Sequence, residues 1–91
     1  MKETQIQSKI LSYLRKEYPH SFVVKISDKW YSGIPDILFI NREKTYFFEV
    51  KTATGKATKL QLYMMKVING TVARAFVVRG LGDVKLILRK E

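Results

Sequence analysis

Asp36, Glu49 and Lys51 are the residues whose types and spacing could do chemistry. They flank two strand-like runs, Ile37 to Ile40 and Thr45 to Phe48, joined by the polar Asn41-Arg42-Glu43-Lys44. As a hairpin the stretch has one register. A two-residue turn at Arg42-Glu43 pairs Asn41 with Lys44, and a four-residue loop pairs Ile40 with Thr45; both set Asp36 opposite Glu49. Directly opposed side chains on an antiparallel pair stand about 5 Å apart on one face. Two carboxylates there repel by about 3 kcal/mol at an effective dielectric near 20. A divalent cation between them turns that repulsion into a ligand set. Lys51, two residues beyond Glu49, points to the same face.

That trio suits hydrolysis of a phosphodiester. A metal ion polarises a phosphoryl oxygen and lowers the pKa of a water it holds. The lysine holds that water and offsets the charge that develops in the transition state. Hard oxygen ligands point to Mg²⁺ or Mn²⁺ rather than zinc. The bland alternative is an ion pair between one carboxylate and Lys51, which accounts for one acid and leaves the other unexplained.

The elements that must position these groups follow from periodicity. Ile6, Ile10 and Leu14, with Leu11 and Tyr13, mark a helix over 3–18 that Pro19 ends. Glu3 lies on the same stripe, one turn before Ile6. It reads either as a first-turn carboxylate favoured by the helix dipole or as an acid facing the site. Phe22 to Ile26 reads as a first strand, and the loop after it carries Trp30 and Tyr31. Those aromatics fit a cover over the core edge, or a surface for bases or a partner subunit. Pro35 starts the second strand, where its missing donor does little harm, and Gly33 permits a close approach beside Asp36. Both faces of strands two and three are largely apolar, which predicts a central pair covered on both sides.

A second helix is predicted over 58–69, stopped by Gly70, with Thr58 and Gln61 spaced as a capping box. Strands are predicted over 72–78 and 84–89. The expected order is αβββαββ, an α/β fold with a mixed central sheet flanked by helices, whose third and fourth strands are parallel neighbours.

The chain has 91 residues, so one domain over 1–91 is expected, and 46% hydrophobic residues suffice for a core. With no cysteine, disulfides and thiolate zinc sites are excluded. No apolar run reaches the ~20 residues of a membrane span, and no signal-peptide core is present, so an intracellular, cytoplasmic protein is expected. The net charge of +9 reads either as solubility alone or as a polyanionic partner, nucleic acid or an anionic membrane. Basic residues spread from Lys2 to Lys90 favour a folded nucleic-acid-binding surface over a membrane anchor.

Gly33-Ile34-Pro35-Asp36 followed by Glu49-Val50-Lys51 resembles the PD-(D/E)xK nuclease superfamily, and within it the VRR-NUC, or virus-type replication-repair nuclease, family. An early acidic residue in the first helix, Glu3, and a glutamine in the helix after E-x-K, Gln61, fit that family. The similarity spans almost the whole chain. It implies a restriction-endonuclease-like core, Mg²⁺- or Mn²⁺-dependent cleavage of DNA, homodimerisation and resolution of four-way (Holliday) junctions in phage or bacterial DNA repair. The resemblance further implies that Asp36, Glu49 and the Val50 carbonyl bind the metal and that Lys51 positions the attacking water. It gives Gln61 the orienting of that water or of Lys51, and Glu3 the holding of a metal-bound water. Lys25, Ser32 and Lys56 are candidates for phosphate contact. The rival expectations are a nuclease of the same chemistry acting on flaps, nicks or ordinary duplex, and a non-catalytic basic nucleic-acid-binding module.

Overall fold

A computed structural model of the chain describes residues 1–27 and 32–90. Trp30 and Tyr31, for which a covering or stacking role is expected, lie outside the described residues. The elements run α1 (Glu3–Glu17), β1 (Phe22–Lys25), β2 (Ile37–Asn41), β3 (Lys44–Val50), α2 (Lys59–Asn69), β4 (Arg74–Val78) and α3 (Leu81–Lys90). The four strands form one sheet in the order β1-β2-β3-β4, so the chain meanders through three antiparallel neighbours and then crosses through α2 to a parallel fourth. The hairpin register is the expected one. Asn41 pairs with Lys44 and Ile37 with Phe48 across a two-residue turn at Arg42-Glu43, with φ at Arg42 of 57°.

The last element corrects the expected order: residues 81–90 are a helix, not a fifth strand. Val84, Leu86 and Leu88 alternate as a strand would, but Leu81, Val84 and Leu88 also repeat at helical spacing. The helical stripe wins: Leu81, Val84 and Leu88 meet the core, while Leu86, which a strand would set on the same face as Val84, is exposed. Asp83 in the first turn and Arg89 and Lys90 in the last complement the helix dipole.

One sheet face is fully built. Ile37, Phe39, Tyr46, Phe48, Val50 and Val78 pack under Ile6, Ile10 and Leu14 of α1 and Val84 of α3. An aromatic row crosses the sheet on this side, Tyr18 against Phe39, Phe39 against Tyr46, Tyr46 against Phe48 and Phe48 against Phe76. The other face departs from the expected two-sided cover. α2 packs on β4, and Val24, Leu38, Ile40, Thr45 and Phe47 are only half-buried while Phe22 is exposed. No described helix has the length and apolarity needed to cross a membrane.

With Met65 as its only buried residue, α2 is held chiefly by its ends. At the C-terminal end the Asn69 side chain grips Ala75 of β4 twice, Oδ1 accepting from N–H at 2.8 Å and Nδ2 donating to C=O at 3.2 Å. At the N-terminal end Gly33 lies against Leu60, at φ +84° and so close that a Cβ would come within 2.7 Å of the Leu60 side chain and 3.1 Å of its backbone. The glycine therefore lets the Gly33–Asp36 segment and the first turn of α2 touch. Gly33→Ala should cost about 1–3 kcal/mol of stability, read as a lower urea midpoint at unchanged m-value.

Candidate active site

Extended by one position beyond Ile37 and Phe48, the β2–β3 register sets Asp36 beside Glu49. Asp36 immediately precedes β2, where its C=O accepts the Ile26 N–H at 2.7 Å. Its Oδ2 accepts the backbone N–H of Val50 from across the hairpin at 2.8 Å. Glu49 is 1% exposed. Its Oε2 faces the Lys51 ammonium at 3.5 Å and accepts from Gln61 Nε2 at 3.2 Å. Its Oε1 is buried with no hydrogen-bond partner. Burial, the Asp36 charge and the Asp36 hydrogen bond together push the Glu49 carboxyl up to about 7, against the opposing pull of Lys51.

Gln61 occupies both of the roles its position allows. Its Oε1 accepts the Thr58 N–H at 2.8 Å and its own N–H donates to Thr58 Oγ1 at 3.1 Å, which is the expected capping box. Because a backbone N–H fixes the amide oxygen, the amide nitrogen must turn the other way, and it meets Glu49. The contact is with Glu49 rather than with Lys51. Lys51 is 8% exposed, and its backbone N–H donates to Val78 C=O at 3.0 Å, so the parallel β4 strand fixes where its side chain starts.

The donor set fits a hard cation. Two carboxylates stand side by side and one buried oxygen lacks a partner; among the described residues no cluster of three or more His, Cys, Asp or Glu assembles. Two protein carboxylates with remaining positions open to water, carbonyl or phosphate is the manner in which Mg²⁺ is commonly held. An open concavity of about 880 Å³ lies at the opposite, turn end of the hairpin near Tyr18, His20 and Arg42 and contains none of these groups.

No protein-family profile matches the chain, and no curated protein does. Among solved structures, one described as a VRR-NUC domain superposes with a TM-score of 0.75 at 27% identity, over 96% of this chain and 94% of the other. The chain is thus similar to a VRR-NUC domain over almost its whole length. A VRR-NUC domain protein with 15% identity shares the fold at a TM-score of 0.79, over 99% of this chain and 87% of its own.

Of the residues singled out in the sequence, the structure brings Asp36, Glu49, Lys51 and Gln61 together. Val50 joins them through its N–H to Asp36. Glu3 begins α1 half-buried and stands apart from a direct carboxylate cluster. Lys25, Ser32 and Lys56 are exposed. The sequence reading missed Gln7, one turn after Glu3, whose side chain is buried with Oε1 unpartnered. Helical spacing alone places it on the buried stripe, and its polarity hid it.

The Glu49 shift sets a pH dependence. Without metal, the folded state protonates Glu49 near pH 7 and the unfolded state near 4.5, so between these values the folded state holds the extra proton. The group's contribution to stability therefore falls as pH rises through that window and is level above it. In chelator, melting temperatures at pH 5 and pH 8 should drop more for wild type than for Glu49→Gln.

Proposed function

We propose that this chain is a Mg²⁺- or Mn²⁺-dependent DNA endonuclease that works as a homodimer and resolves four-way junctions. The observation that carries the catalytic reading is the pairing of half-buried Asp36 with buried Glu49 and its unpartnered oxygen, faced by Lys51 and Gln61. A bound divalent cation would supply Lewis acidity toward a phosphoryl oxygen and acidify a water. Asp36, Glu49 and the Val50 carbonyl are the groups that would hold it, with Glu3 reaching it through water.

The remaining chemistry belongs to the chain's own side chains. Lys51 holds the attacking water and places positive charge where the phosphorane-like transition state gathers negative charge. Gln61 holds the Glu49 carboxylate in one orientation, leaving Oε1 as the free oxygen. Burial of Glu49 keeps bulk water from competing with these contacts. Exposed Lys56 and Lys59 near the same end offer contacts to the DNA backbone.

The open sheet face supports the dimer. Phe22, Val24, Leu38, Ile40, Thr45 and Phe47 form a surface without charge on a chain of net charge +9, and no described element covers it. Phosphate has nothing to bind there, whereas two copies can bury it against each other without bringing like charges together. A paired arrangement also holds two sites in fixed relation, which symmetrical cutting of a junction requires.

The pure protein should cut four-way junctions in Mg²⁺ or Mn²⁺ in preference to flap or linear duplex, and chelator should stop it. Asp36→Asn should lower the rate about 100-fold or more while junction binding persists. Equal cutting of all three DNAs would remove the resolvase reading. Metal-independent loss of fold in Asp36→Asn, with no cleavage by wild type, would favour a basic binding module instead. Phe22→Glu, at an exposed position, should give monomers by sedimentation and convert paired junction cuts into single nicks.

A further inference from the structure

We propose that Arg79 is a positioning residue for this site, its guanidinium holding the loop that joins Lys51 to Gln61; the proposal rests on the nuclease reading above. Residues 52–58 connect β3 to the cap of α2 without regular structure. At one end of this loop stands Lys51 and just past the other Gln61, so its shape sets the spacing of two site residues. Arg79 Nη1 donates to Thr52 C=O and Gly55 C=O, each at 2.6 Å, across sequence separations of 27 and 24. One charged nitrogen thus gathers two carbonyls that no strand or helix uses.

Both the strut and the loop are anchored. Arg79 follows Val78, the residue whose C=O receives the Lys51 N–H, so it leaves the sheet beside the lysine it serves. Its own N–H donates to Asp83 Oδ2 at 2.8 Å, in the first turn of α3. Within the loop, Gly55 N–H donates to Thr52 Oγ1 at 3.1 Å, closing the turn whose carbonyls face the guanidinium. Among the described residues Arg79 forms no ion pair with a carboxylate, and its side chain sits at the exposed margin of the fold. Fixing this loop is therefore what its two side-chain hydrogen bonds accomplish.

The test compares wild type, Arg79→Met and Arg79→Lys by three measurements: single-turnover cleavage, DNA affinity in chelator, and amide hydrogen exchange over residues 52–58. Arg79→Met should cleave about 10–100-fold more slowly, with DNA affinity within about 3-fold of wild type and little change in melting temperature. Exchange in the loop should quicken while exchange in β2 and β3 stays as it was. Arg79→Lys should recover part of the rate, because an ammonium can donate to both carbonyls without the planar fork. An unchanged cleavage rate in Arg79→Met overturns the proposal. So does a rate loss matched by equal losses of DNA affinity or melting temperature. If wild type cuts no DNA in either metal, the nuclease reading has failed on its own. Loop exchange then still decides whether Arg79 holds the loop, and unchanged exchange overturns the strut in every case.

Discussion

Two like charges forced together are the constraint on which this molecule is built. A hairpin with a two-residue turn leaves no freedom in register, so the strand pairing that builds the sheet also sets Asp36 against Glu49. The fold tolerates them through specific partners: a backbone N–H on Asp36, an ammonium and an amide on Glu49. Those partners come from β3 and α2, so sheet pairing and crossover must both be in place for the pair to be stable. Partial neutralisation by proton uptake at Glu49 is the remaining release. A chain without use for the pair would avoid it by changing one residue.

The two faces of the sheet divide the work. α1 and α3 close one side over a continuous aromatic and aliphatic core, which supplies the rigidity that a site needs. On the other side α2 is carried by its two ends rather than by a buried stripe, and the apolar surface beside it stays half-open. Asp36 and Glu49 lie on this second side by strand alternation. The acidic pair and the uncovered surface therefore share one face, so whatever covers that surface borders the pair.

Much of this was legible in the residues themselves. The register followed from Asn41 to Lys44 alone, because turn length permits few pairings, and the parallel placement of β4 followed from the intervening helix. Gln61 was readable as a cap and as a neighbour of the acidic pair, and its amide makes contact with both Thr58 and Glu49. The segment from Leu81 to Lys90 misled because Val84, Leu86 and Leu88 satisfy a two-residue and a nearly helical period together; tertiary packing, not local pattern, separates them. Gln7 and Arg79 were hidden for different reasons. Gln7 sits on an apolar stripe where a polar letter is not sought, and the partners of Arg79 are more than twenty positions away and are backbone carbonyls, which carry no signature of residue type.

The double engagement of Gln61 narrows the alphabet at that position. The acceptor end must meet the Thr58 N–H and the donor end the Glu49 carboxylate, from a stem of fixed length. Glutamate offers the acceptor but brings a third negative charge in place of the donor. Lysine and arginine donate but cannot accept, and asparagine has both groups on a stem one methylene shorter. Helix initiation and site geometry thus impose a joint requirement that one amino acid meets, and a substitution there loses both functions at a stroke.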